Sequence, residues 1–308
     1  MTFFGAEVYA LLAAICFAGS QVTVRRGLVH SSIISGVLVS LSTALVVIVI
    51  AVLFDPPAEV TADGLALFVL GGLAAPGISR WAATTGVHRL GPSVAVPITQ
   101  GARPLLAVGG ALLFLGESLT IPKLVGLVAI VAGGSQLSRS REDARSLGLG
   151  SIEGPVETAT RSQRIFRLRP GIVFPLLAGL AYAASDLVVK EALDHLPHPR
   201  FGAMVGMASA LVAWSAATLL APPLRRQLRL GRDVGWLVAS GVLAGLAIIN
   251  LFTALDLGDV TLVSPITASQ PLAVFLFSRI FLRKIERLNA SIVLAGCSIV
   301  VGTIIISL

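Results

Sequence analysis

Arg80, Arg103 and Asp186 are the residues best placed to do chemistry, because each stands well inside a long apolar run. If those runs cross a bilayer, each ionisable group costs at least ~2.5–3.5 kcal/mol and needs a partner or a wet cavity. Two buried guanidinium groups on a shared cavity would favour an anionic or carboxylate-bearing ligand. The competing reading pairs them with Asp186, with Glu117 or with backbone carbonyls for structure alone. Asp186 also has two readings, as the carrier of a coupling proton or ion and as a permanently ionised counter-charge to an arginine. Arg279, one helical turn before Arg283, is expected to snorkel to an interface.

Around these charges lie polar residues that could complete a site. Trp81 follows Arg80, and Arg103 precedes Pro104. Two runs contain proline pairs, Pro97 with Pro104 and Pro265 with Pro271, flanked by Thr99 and Gln100 and by Ser264, Thr267, Ser269 and Gln270. A helix loses one internal hydrogen bond at a proline and bends there, so these positions are expected to interrupt their helices and expose carbonyls at the membrane midplane. A kink tolerated for packing is the alternative. Asn250, near the repeat position of Arg80, is a further candidate for the same cavity. The substrate-binding candidates are therefore Arg80, Trp81, Gln100, Arg103, Asn250, Thr267 and Gln270, with Asp186 as the ion-coupling candidate.

The elements that must position these residues follow from composition. The 308 residues are 55% hydrophobic and only 13% charged, about half the charge of an ordinary soluble domain. A bilayer core needs about 20 apolar residues of helix. Runs of that length are expected at Ala6 to Val24, Ile33 to Phe54, Leu65 to Val87, Ser93 to Leu115 and Leu119 to Leu137. A second set follows at Ile172 to Val189, Phe201 to Leu220, Val234 to Leu255, Val260 to Leu282 and Leu288 to Leu308. The expected fold is thus all-α and polytopic. Residues 1–137 form one five-span unit, 138–170 an arginine-rich linker and 171–308 a second five-span unit.

The two units resemble each other at a nearly constant offset. Ala14 to Gln21 aligns with Gly179 to Asp186, Val96-Pro97-Ile98-Thr99 with Ser264-Pro265-Ile266-Thr267, and Pro104-Leu105 with Pro271-Leu272. An odd number of spans per unit forces the second to enter the membrane from the opposite side, so the repeats are inverted. Charge supports the count. Seventeen of the 23 Lys and Arg residues fall on one side, only Lys123, Lys190 and Arg200 on the other, and three remain within spans. By the positive-inside rule the crowded side is cytoplasmic and both termini lie outside. The net charge of +7 is accordingly read as topological, with no nucleic-acid partner.

Other signals are bland. Cys16 and Cys297 lie in separate apolar runs, and neither a disulfide nor a metal site is expected; His195 and His198 with Asp194 lack further ligands. Gly202 with Gly206 and Gly241 with Gly245 fit close helix packing. The N-terminus runs directly into an apolar span without a basic leader and is expected to remain in the mature protein. No nucleotide-binding loop or hydrolase motif is present, so ATP-driven transport and hydrolysis lose support and no cofactor is expected.

Several short motifs, in order and twice over, carry a family resemblance. They are Ala18-Gly19-Ser20 through Arg25, Leu90-Gly91-Pro92 through Pro97, Arg103-Pro104-Leu105, and Gly116-Glu117-Ser118-Leu119-Thr120 in the first unit. Ala184-Ser185-Asp186 through Lys190 and Leu255-Asp256-Leu257-Gly258-Asp259 through Gln270-Pro271-Leu272 follow in the second. The chain resembles EamA-type members of the drug/metabolite transporter superfamily. That resemblance implies a ten-helix basket whose central cavity is lined mainly by the third, fourth, eighth and ninth helices. It also implies alternating access and substrates such as amino acids, their metabolites and drugs, commonly exported. Arg103 is not dictated by the family pattern, and both termini of members are usually described as cytoplasmic, opposite to the charge count here. The expected function is secondary active transport of a small polar, anionic or zwitterionic metabolite across the inner cell membrane, by a monomer or a homodimer. A lipid-carrier flippase and an intramembrane enzyme acting on a phosphorylated lipid are the alternatives.

Overall fold

The computed structural model describes residues 5–57, 59–114 and 171–281, with single positions at 125, 128, 294, 297, 298, 301 and 305. The expected linker Ser138 to Pro170 lies outside the described residues, as do the side chain of Arg279, Glu117, and the expected spans Leu119 to Leu137 and Leu288 to Leu308 apart from those single positions.

All described regular structure is helical. In chain order it comprises α1 Ala6–Gly27, α2 Ile33–Leu53, α3 Ala62–Gly72, α4 Ser79–Leu90, α5 Pro92–Phe114, α6 Val173–His195, α7 Pro199–Leu220, the short α8 Pro222–Arg225, α9 Val234–Leu257, α10 Val260–Thr267 and α11 Gln270–Phe281. Six helical stretches among the described residues are long and apolar enough to cross a membrane: α1, α2, α3 continued into α4, α6, α7 and α9. Their ends follow local rules. Ser32 caps α2 by accepting from the Ser35 amide at 3.2 Å, Arg25 and Arg26 sit in the last turn of α1 where the helix dipole favours cations, and Pro199 opens α7. Gly91, with φ at +80°, makes the sharp turn from α4 into α5.

The two units interlock. The most extensive helix contact is α1 against α9, followed by α5 against α6 and α2 against α9. Small residues permit this, since α1 buries Ala10, Ala13, Ala14, Ala18 and Gly19 and α9 buries Gly241, Ala244, Gly245 and Ala247. Large apolar side chains point outward instead, among them Phe54, Leu219 and Leu220, which suits a lipid-facing surface.

Two departures from the sequence expectations concern prolines. α5 runs unbroken through Pro97 and Pro104, so the expected interruption there is absent. A transmembrane helix can absorb the single lost donor of a proline without breaking. The first unit breaks one span earlier, where a wide turn at Leu73–Ile78 separates α3 from α4. Ala75 is non-helical (φ −143°, ψ 120°), and the Ala75–Pro76 peptide is cis. Carbonyls freed by this turn find new donors: Ser185 Oγ donates to Ala75 O at 3.3 Å and Trp214 Nε1 to Gly77 O at 3.0 Å. In the second unit the helix does break, at Ala268 and Ser269 between α10 and α11. Pro265 lies inside α10, while Pro271 falls in the first turn of α11, where the missing donor is an orphan anyway.

Candidate functional site

The wide turn before α4 delivers Arg80 into the middle of the helix bundle, where it is 4% exposed. Its guanidinium is held by three serines from three helices. Nε donates to Ser40 Oγ of α2 at 3.2 Å, Nη1 to Ser20 Oγ of α1 at 3.1 Å and Nη2 to Ser240 Oγ of α9 at 2.9 Å. Each hydroxyl sends its own hydrogen to a backbone carbonyl: Ser20 to Ser240 O and Ser240 to Ser20 O, both at 2.9 Å, and Ser40 to Val37 O at 3.0 Å. The serine lone pairs are thereby turned toward the cation. Among the described residues, no carboxylate forms an ion pair with Arg80.

This cage requires close backbones. A Cβ on Gly241 would stand 2.6 Å from Thr43 Cβ and 2.7 Å from Ser40 O, so the glycine lets α9 carry Ser240 up against α2.

Arg103 is neutralised differently. Its Nε donates to Asp186 Oδ2 and its Nη2 to Oδ1, both at 2.6 Å, in a bidentate pair with both side chains almost fully buried. The guanidinium carbon also lies 5.4 Å from the centre of the Tyr182 ring. Here too a glycine sets the spacing, because a Cβ on Gly179 of α6 would meet Ala102 Cβ at 2.7 Å and Thr99 O at 2.8 Å on α5.

Two cavities meet at this pair. The first spans about 520 Å³, open solvent included, and is walled mainly by apolar side chains, with Arg80, Asp186, Ser40, Ser185 and Tyr182 as its charged and polar members. The second holds about 350 Å³ and is more polar, with Gln21, Thr99, Gln100, Arg103 and Gln270 on its wall. Phe17 and Tyr182 line both, Asp186 faces the first and Arg103 the second. The ion pair and the two aromatic rings therefore form the partition between the cavities.

The candidates thus divide. Arg80 and Asp186 line the first cavity, and Gln100, Arg103 and Gln270 the second, where Gln100 Nε2 donates to Gln270 Oε1. Trp81 points elsewhere: its ring packs edge-on against Phe174 (5.6 Å) and beside Trp214 (6.1 Å). Asn250 donates to Leu246 O at 2.7 Å and Thr267 to Ser264 O at 2.9 Å, each within its own helix, and neither lines either of these two cavities. Both side chains satisfy themselves on the preceding helical turn, a choice that sequence spacing does not reveal. Residues not singled out as candidates include Ser40, Ser240, Phe17 and Tyr182. A signal existed for one of them, since Ser240 adjoins Gly241 at a helix contact.

Buried charges thus stand beside paired cavities in a bundle of apolar helices. The model of the EamA-like transporter family matches residues 5–137 and 169–308. The chain belongs to the EamA-like transporter family. This EamA-like protein is accordingly a multi-pass membrane protein of a transporter family. Its fold is similar to that of a solved crystal structure with a TM-score of 0.63, covering 97% of this chain and 95% of that one at 16% identity, a level that speaks to fold alone. No curated protein sequence matches it.

Proposed function

We propose that this EamA-like protein is a secondary active transporter that exports a small polar, anionic or zwitterionic metabolite across the inner cell membrane by alternating access. The observation carrying this reading is the partition: among the described residues, two cavities share the rings of Phe17 and Tyr182 and meet at the Arg103–Asp186 pair. Opening that layer on one side and closing it on the other would move a solute between them without a continuous channel.

Ten spans in two inverted repeats, at 1–137 and 171–308 around the linker 138–170, complete this proposal. The double match of the family model and the interlocking of α1 with α9 and α5 with α6 support it. The charge bias of the loops supports a cytoplasmic position for the crowded face. Arg80, Gln100, Arg103 and Gln270 are the proposed substrate contacts. Asp186 is the proposed coupling group, since proton binding there would remove the counter-charge of Arg103 and loosen the partition. One chain supplies both cavities, which supports a monomer as the working unit.

Flux into proteoliposomes holding the purified full-length protein, with and without a pH gradient, tests this reading. Saturable, gradient-dependent movement of an anionic or zwitterionic solute that is abolished by Asp186→Asn is the expected outcome. Gradient-independent flux that survives the substitution would overturn the coupling role.

A further inference from the structure

We infer that the first cavity binds an organic monocarboxylate with an apolar body, and selects it over the zwitterion of the same shape; this rests on the transport reading above and narrows its substrate class.

Charge balance gives the first half of the argument. Among the described residues, the ionisable groups on the first cavity besides the Tyr182 phenol are Arg80 and Asp186, and Asp186 is already balanced by Arg103 through two bonds of 2.6 Å. One positive charge remains uncompensated in a low-dielectric space, on a side chain 4% exposed that lines the cavity. A guanidinium carries five N–H donors, and the serine cage occupies three. Two are left, one on each Nη, and either can donate a charge-assisted hydrogen bond to a carboxylate oxygen. A dianion would replace the excess positive charge with an excess negative one. An ammonium group on the ligand would find no free counter-charge, since the three serine oxygens already accept from Arg80 and donate to backbone carbonyls.

The rest of the wall supplies the second half. Val189, Met207, Ile248, Leu251, Phe252 and Leu255 continue the cavity away from Arg80, toward the end of α9 at Leu257. An apolar body against these side chains would be removed from water along with them.

Equilibrium dialysis with the full-length protein in nanodiscs, using 3-phenyllactate and its amino-acid isostere phenylalanine, tests the inference. 3-Phenyllactate is expected to bind about tenfold or more tightly than phenylalanine, its own amide, phenylsuccinate or unsubstituted lactate. Arg80→Met should remove that preference, and Arg80→Lys should keep the preference for the anion at reduced affinity, with thermal unfolding showing that both variants fold. Should Arg80→Met fail to fold, the Arg80→Lys and ligand-panel results decide alone. Equal or tighter binding of phenylalanine, or 3-phenyllactate affinity unmoved in a folded Arg80→Met protein, overturns the inference. Flux of the same panel separates the two proposals: Arg80-dependent binding without flux overturns the transport reading and leaves the site standing, whereas flux of other solutes without 3-phenyllactate binding does the reverse.

Discussion

Arg80 and Arg103 lie in neighbouring helices and are almost equally buried, yet their charges are stabilised in opposite ways. Arg103 faces a full counter-charge in ideal bidentate geometry. Arg80 faces only the oxygens of Ser20, Ser40 and Ser240. A counter-charge cancels the field of a buried ion, while a cage of dipoles solvates the ion and leaves its net charge in place. The first arrangement suits a structural clasp or gate, and the second leaves a cation able to attract a ligand. The difference also predicts how each centre fails. Removing one member of an ion pair strands the other, whereas removing Arg80 leaves neutral hydroxyls that still donate to backbone carbonyls.

The largest effect is therefore expected at the pair. Asp186→Asn should destabilise the protein by about 3–5 kcal/mol, because Arg103 is left buried without its counter-charge, and thermal unfolding in detergent would show it. Arg103→Met combined with Asp186→Leu should recover most of that loss, since apolar replacement of a whole buried pair is often neutral or stabilising. Failure of the double substitution to recover stability would mean that the clasp specifies the packing of α5 on α6 as well.

Substituting the spacing glycines should break one centre at a time. Gly241→Val is expected to cost about 1–3 kcal/mol and to weaken anion binding while leaving the effect of Asp186→Asn unchanged. Gly179→Val should act on the ion pair instead, as a loss of additivity with Asp186→Asn would reveal.

Arg80→Met should cost less stability than Asp186→Asn, about 1–2 kcal/mol for lost charge-assisted bonds, although it removes the cation proposed to bind substrate. A stability loss equal to that of Asp186→Asn would contradict the contrast between cage and clasp. An effect no larger than that of Arg80→Met, about 1–2 kcal/mol, is expected for Ser240→Ala, which removes the acceptor of one Arg80 bond and the donor to Ser20 O, accompanied by a modest fall in anion affinity.

Much of the helix framework was legible from apolar run lengths. α1, α2, α6, α7 and α9 fall within a few residues of the expected spans, because the bilayer imposes one length on every crossing helix. The charged candidates were legible too, as an ionisable residue in an apolar run is conspicuous. Their environments were not. Pairing of an arginine with Asp186 was one of the readings the sequence offered, but spacing did not choose Arg103, 83 positions away, over Arg80, which is enclosed by serines up to 160 positions away. Nor did it separate Trp81 and Asn250, which turn away from the cavities, from Gln100 and Gln270, which face them.

The prolines mark the same boundary. Sequence shows where a helix loses a donor, and four such positions drew attention to α5 and to α10 with α11. Whether the helix breaks there depends on what neighbouring helices offer the freed carbonyls, and the break in the first unit fell at Pro76, where Ser185 and Trp214 come to meet them. By itself the sequence determined which segments leave water and which residues are costly inside them, because both are properties of transfer from water to an apolar medium. Only the tertiary structure decided which cost is met by a counter-charge and which by hydroxyls, because that depends on the partners brought within 3 Å by helices distant in the chain.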